Sequence, residues 1–265
     1  MRRFSADYLE TTREGMWGDS REALADLDLD GRERVLDVGC GTGELTRVLA
    51  EESGARVVGA DVDPSLLSVA GEFAPVARAD ASRLPFGDDA FDLVVCQALL
   101  INLPDPIDAV REFARASSAL VAAVEPDNGA VSVDSTVDAE PPLARRARER
   151  FLDGVETDVT LGAGAHGVFE DAGLEVASTR QYDHERVVSP PYSEAAMEAA
   201  RRKATGEGLA DDRETILSGE TSEEEYDDLR SEWRAMGRDV VSQMGAGSYV
   251  RKETVPFFVT VGRVA

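Results

Sequence analysis

The chain has 265 residues, enough for one large domain or for a domain that carries an insertion. Its 52 acidic and 28 basic residues leave a formal net charge of −24, which excludes general attraction to nucleic acid phosphates. No apolar run approaches the ~18 residues of a spanning helix, so no membrane partner is expected.

Residues 1–31 read as an N-terminal helical segment, with Tyr8, Leu9, Thr12 and Met16 on one face and Leu24, Leu27 and Leu29 following. Tyr8, Thr12 and Arg13 lie together at helical spacing, and Arg13 offers a fork suited to a carboxylate. Tyr8 and Trp17 could shield a cationic ligand. Two readings of the segment stay open: a lid over a ligand site, or an amphipathic helix packed on the sheet with Arg13 in solvent.

A buried strand at 34–38 breaks into glycines at 39, 41 and 43, and residues 45–50 follow with helical apolar spacing. Glycine stands where φ must be positive or where backbone approaches a ligand closely. A second β-branched run, 57–60, ends in Asp61, about 20 residues after the glycines, where nucleotide-binding α/β folds place a ribose-binding acid. Asp63-Pro64 caps the next helix. Strands follow at 75–78, 93–96 and 120–125, with a helix opened by Asp105-Pro106 before the last of them. This alternation predicts an α/β, doubly wound, mostly parallel sheet of seven strands.

Beyond 131 come helices near 142–153 and 165–172, Gly173 as a helix stop, a strand at 174–182 and a final strand at 255–264. The long stretch 190–247 between these strands is helical in composition, and Ser222-x-x-Glu225 reads as a capping box. The expected organisation is a core of 32–187 with 251–265, and a helical cover of 188–250 at the ligand-binding edge of the sheet.

The motifs as written are Val35-Leu36-Asp37-Val38-Gly39-Cys40-Gly41-Thr42-Gly43-Glu44, then Asp61, then Asp80-Ala81 with Leu84-Pro85-Phe86, then Phe91-Asp92-Leu93-Val94. Together they resemble the class I S-adenosylmethionine (SAM) dependent methyltransferases. The resemblance is strong over 34–125 and rests on strand order elsewhere. It implies SAM as cofactor, held by Gly39, Cys40, Gly41 and Gly43, with Asp61 on the ribose hydroxyls and Val62 beside it. It also implies Asp80 and Ala81 along the adenine, and Gly39, Gly41 and Gln97 along the methionine end. Asp37 is expected to tie down the glycine loop or to meet the cofactor amino group through water, and Tyr8 and Arg13 to close over the pocket.

Methyl transfer from a sulfonium is a direct displacement that rests chiefly on alignment, so no catalytic residue is assigned. Many relatives carry a histidine after the fourth strand. Here the residues are Gln97-Ala98-Leu99-Leu100-Ile101-Asn102-Leu103, which favours an acceptor that is already nucleophilic or a base supplied elsewhere. The acceptor is expected to be a small or medium-sized molecule; neither its identity nor the oligomeric state is legible. Two readings stay open beside this one, a nicotinamide-dependent oxidoreductase and a SAM-binding protein without catalysis. The shorter glycine spacing and the Asp80 block argue against the first.

Other signals carry less. Ser189-Pro190-Pro191-Tyr192 resembles a base-holding tetrapeptide but stands far from the position that role requires. His166 and His184 lack metal-ligand spacing. The cluster Arg145-Arg146-Ala147-Arg148-Glu149-Arg150 reads as a solvated helix face. Glu125-Pro126-Asp127-Asn128-Gly129 is explained by turn chemistry, though Glu125 or Asp127 could meet substrate. Cys40 and Cys96 form no disulfide framework and fit a reducing, cytoplasmic setting. Of the basic residues only Lys203 and Lys252 are lysine, and this depletion beside the acid excess points to a halophilic source.

Overall fold

Strand β1, Arg34–Val38, pairs in parallel on one side with β2, Arg56–Asp61, and on the other with β4, Phe91–Gln97. Strand β3, Val76–Arg78, extends the sheet beyond β2, and β5, Ser117–Pro126, extends it beyond β4, both in parallel. A computed structural model describes residues 16–264 of the chain. The described residues divide into two compact units, one running to Asp127 with Thr160–His184 and the residues from Pro256 onward, the other Asn128–Val159 with Glu185–Val255.

The last strand, β8 (Arg251–Arg263), whose residues from Pro256 onward belong to the first unit, runs antiparallel to β5 with Val124 opposite Val259. Strand β7, Glu175–Val188, pairs with β8. The alternation of side chains along the strands explains the two apolar layers. Leu36, Val38, Val94, Cys96, Val121 and Ala123 face one way, toward Val110 and Phe113 of the helix Pro106–Ala116 and Phe169 of Ala165–Asp171. Val35, Val57, Leu93, Val95, Ala122 and Val124 face the other, toward Leu45 and Leu49 of the helix Glu44–Glu52 and toward Trp17, Leu24 and Leu27.

The second unit is chiefly helical and has its own apolar core, in which Leu143, Ala200, Tyr226, Leu229, Met236 and Val240 meet. Its long helix Glu223–Gly245 opens on the expected capping box: Ser222 Oγ accepts the Glu225 N–H at 3.3 Å, and Glu225 Oε2 accepts the Ser222 N–H at 2.9 Å.

Three features depart from the sequence reading. The sheet gains an eighth strand, β6 (Ser132–Ser135), antiparallel to Arg251–Thr254 of β8; its alternating Ser-Val-Asp-Ser has no apolar run to announce it. The helical unit also takes in 128–159, placed in the core by sequence, because the helix Glu140–Asp153 packs its apolar side on that unit's core. Between Met16 and Gly31, regular α-helix is confined to Met16–Asp19, and Arg21–Leu27 and Leu29–Gly31 are wound as tighter 3₁₀ turns. The expected lid residues Tyr8 and Arg13 lie outside the described residues. No described helix is long and apolar enough to cross a membrane.

Candidate functional site

Where β1 ends, the chain turns through Gly39 (φ 70°), Gly41 (φ 56°) and Gly43 (φ 87°) and enters the helix Glu44–Glu52. The left-handed values explain the glycines directly. Two positions are also crowded. A Cβ at Gly39 would lie 2.9 Å from Leu99 Cδ1, and one at Gly43 would lie 2.9 Å from the backbone of Ala70.

The loop is tied to β2 in three places. The Gly39 and Cys40 N–H groups donate to the Ala60 carbonyl at 2.7 and 3.0 Å, and the Gly41 N–H donates to Asp61 Oδ2 at 3.0 Å. Asp61 Oδ1 accepts the Asp63 N–H at 2.9 Å. A carboxylate has about four acceptor positions, so half-buried Asp61 keeps capacity for a diol after serving both backbone groups. Asp37 is buried beneath the loop, where Thr46 Oγ1 donates to its Oδ2 at 2.6 Å. Thr46 belongs to the helix that follows the loop. Cys40 packs on Leu67 and Ala70.

Val62 is 37% exposed, and its carbonyl accepts Arg78 Nε at 3.2 Å. The Ala79 N–H bonds the Asp61 carbonyl at 2.9 Å, which brings the start of the Asp80 block to the end of β2. Asp80 is exposed; its Oδ1 accepts the Ser82 N–H and Oγ at 2.9 and 2.8 Å, and these bonds hold its carboxyl below the usual carboxylate range. Ala81 is buried against the core.

Gln97 closes β4. Its side chain is buried, with Oε1 accepting Trp17 Nε1 at 3.3 Å and Nε2 lying 3.1 Å from Met16 Sδ. The side chain thus joins β4 to Met16 and Trp17. Trp17 is likewise a core residue, 2% exposed and set edge-on to Phe257 at 6.3 Å.

The largest surprise is Glu125. Sequence left it between turn chemistry and substrate contact, yet it is fully buried. Its Oε1 accepts the N–H groups of Leu99 and Leu100 at 3.1 and 2.9 Å, and its Oε2 that of Ile101 at 3.3 Å. Burial pushes its carboxyl up to about 7 against the opposing pull of those donors. The available signal was an acid closing an otherwise apolar buried strand.

Compared with known proteins, residues 36–118 match the family model described as a methyltransferase domain. Methyltransferase GfsG of Streptomyces halstedii is 38% identical over 98 residues, which is 34% of this chain and 35% of that protein. The 2-phytyl-1,4-naphtoquinone methyltransferase of Synechococcus elongatus is 33% identical over 156 residues, 54% of this chain and 64% of that one. The chain thus spans between a third and two thirds of these curated relatives. A Bacillus halodurans protein crystallised as a suspected methyltransferase shares the fold with a TM-score of 0.54 at 19% identity, covering 93% of this chain and 98% of that one.

Proposed function

We propose that the chain is a SAM-dependent methyltransferase that passes a methyl group to a small or medium-sized acceptor by direct displacement. The observation that carries this reading is the joined cradle of the glycine loop and Asp61: three left-handed glycines, a backbone bond from Gly41 to the carboxylate, and acceptor capacity left over on Asp61. The match of 36–118 to a methyltransferase domain supports it.

SAM, when bound, supplies a methyl group already activated by its sulfonium. The chain's own task is to hold and align. Gly39, Gly41 and Gly43 permit close backbone approach, and the start of the helix Glu44–Glu52 favours negative charge. Asp61 accepts the ribose hydroxyls by charge-assisted bonds. Asp80, kept ionised by Ser82, accepts the adenine amino group. The turn after β4 presents Ala98, Leu99, Leu100, Ile101 and Asn102, none of which can take a proton near neutral pH, so an acceptor that is already nucleophilic suits this edge. The naphthoquinone relative favours a small aromatic acceptor.

Calorimetric titration with SAM and with a nicotinamide dinucleotide, in concentrated salt, tests the cofactor. A screen of acceptors with methyl-labelled SAM tests the transfer. SAM binding with no labelled product from any acceptor class favours a non-catalytic SAM-binding protein, and binding of the nicotinamide cofactor alone defeats the proposal.

A further inference from the structure

Glu125 has no part in the chemistry proposed above, yet few carboxylates in this fold are more enclosed. It closes β5, and the three N–H groups that it accepts belong to consecutive residues, Leu99, Leu100 and Ile101, on the turn that follows β4. The residues Leu100–Asn102 form a 3₁₀ turn, whose first N–H groups have no partner within the turn. Glu125 supplies that partner from a neighbouring strand.

The turn is constrained at both ends. Ala98 sits at φ 49°, a conformation that costs a non-glycine residue on the order of 1 kcal/mol and persists only where the surroundings enforce it. The Ala98 N–H bonds the Val124 carbonyl at 2.8 Å, and Asn102 Nδ2 returns to the Ala98 carbonyl at 2.8 Å. Between them Leu99 closes on the glycine loop, at the spot where Gly39 has no side chain. A continuous path thus leads from Glu125, through the Leu99 backbone and side chain, to Gly39.

We propose that Glu125 is a positioning residue for the cofactor site: its ionised carboxylate holds the turn after β4 against the glycine loop, and protonation loosens that turn and weakens cofactor binding. The inference rests on the cofactor reading given above.

Glu125 titrates near neutrality, and the groups that face it are these. From β4, Cys96 Sγ lies 3.8 Å from Oε1, and burial followed by the charges of Glu125 and Asp37 keeps that thiol protonated. Asp37 on β1 is the other carboxylate acting on the same thiol. From β8 the register partner is Phe258, and 257–262 carry no charge. On the helix packed against β5, Arg111 pairs with Asp108, and Arg115 with Glu112 and Asp88. Burial is what raises the Glu125 carboxyl, to about 7, and the three donors favour its charged form. Binding that tightens the turn must therefore draw the carboxyl downward, by reciprocity.

The test is calorimetric binding of SAM and of S-adenosylhomocysteine to the full chain at pH 6 and pH 8, at constant ionic strength, for the wild type and Glu125→Gln. If binding lowers the carboxyl by about one pH unit, both ligands bind the wild type roughly fivefold more weakly at pH 6 than at pH 8. Glu125→Gln should bind both with the same affinity at the two pH values. Equal wild-type affinities at pH 6 and 8, or a Glu125→Gln profile that follows the wild type, overturn the proposal. A dependence shown by SAM alone also overturns it, because only a direct effect on the sulfonium charge separates the two ligands. Hydrogen exchange of the Leu99, Leu100 and Ile101 amides in the unliganded wild type reads the turn itself, and it serves even where Glu125→Gln does not fold. Measured against amides that exchange only by global unfolding, protection of these three that rises from pH 6 to pH 8 supports the proposal, and relative protection that stays equal or falls overturns it. Failure of both ligands to bind the folded wild type at either pH defeats the cofactor reading instead, and the exchange measurement then decides the role of Glu125 in the turn.

Discussion

Gly41 donates its backbone N–H to Asp61 Oδ2 at 3.0 Å, so the glycine loop after β1 is joined directly to the acid that ends β2. A substitution at Asp61 therefore removes an internal brace together with the proposed ribose contact.

Asp61→Ala is expected to weaken SAM binding at least roughly tenfold, since loss of a charge-assisted bond costs on the order of 1.5–3 kcal/mol. Asp61→Asn restores only part of this, because its amide group must face one of the two N–H donors, from Gly41 or Asp63, that the carboxylate accepts. Calorimetry on both variants checks the order; an Asp61→Ala affinity equal to the wild type would contradict the assignment.

Gly39→Ala combines a left-handed backbone with a Cβ placed 2.9 Å from Leu99 Cδ1. The expected loss of stability is ~1–3 kcal/mol, read by urea denaturation. Pairing it with Leu99→Ala should return the steric part and leave the backbone part, so non-additivity in the double variant is the diagnostic.

Glu140 anchors the helical unit from a position only 1% exposed. Its carboxylate meets Lys203 Nζ, Arg251 Nε at 3.2 Å, Ser135 Oγ at 2.6 Å and the Tyr249 hydroxyl at 2.8 Å. Glu140→Gln leaves Lys203 without its anion, while Arg251 keeps Glu253, and should cost roughly 3–5 kcal/mol, measured by chemical denaturation. Burial works to raise this carboxyl, but Lys203, Ser135 and Arg251 together hold it below 4.5. Its contribution to stability is thus present above pH 4.5 and is lost as pH falls through the lowered value.

Glu125 carries the opposite sign. Raised by burial from 4.5 to about 7, it stabilises the fold below pH 4.5, and that contribution is lost as pH rises through 7. The difference in unfolding free energy between the wild type and Glu125→Gln should therefore shift against the wild type between pH 5 and pH 8. A difference that stays constant over this interval would contradict a buried carboxyl titrating there.

A net charge of −24 predicts a melting temperature that climbs with salt, as the Debye length falls from about 10 Å at ~0.1 M to about 3 Å at ~1 M. A melting temperature unchanged over that range would remove the basis for reading the surface as salt-adapted.

The sequence by itself determined the parallel core and the cofactor-like loop, because both are local. Alternating strand and helix patterns, Asp63 and Asp105 as caps and the left-handed glycines act within a few residues of chain, and the structure has them where they were expected. The capping box at Ser222 was legible for the same reason. Tertiary structure alone decided what long-range pairing controls. The strand Ser132–Ser135 exists through its contact with Arg251–Thr254, more than a hundred residues away. Gln97 points to Trp17, 80 residues earlier, because the same alternation that buries the strand leaves its choice of neighbour to packing. Glu125 is a turn-like acid in sequence, and it becomes a buried anchor for 99–101 because parallel pairing sets the end of β5 beside the turn after β4. Propensity and spacing report on neighbours in the chain; an isolated carboxylate reveals its burial and its donors only when distant strands are laid side by side.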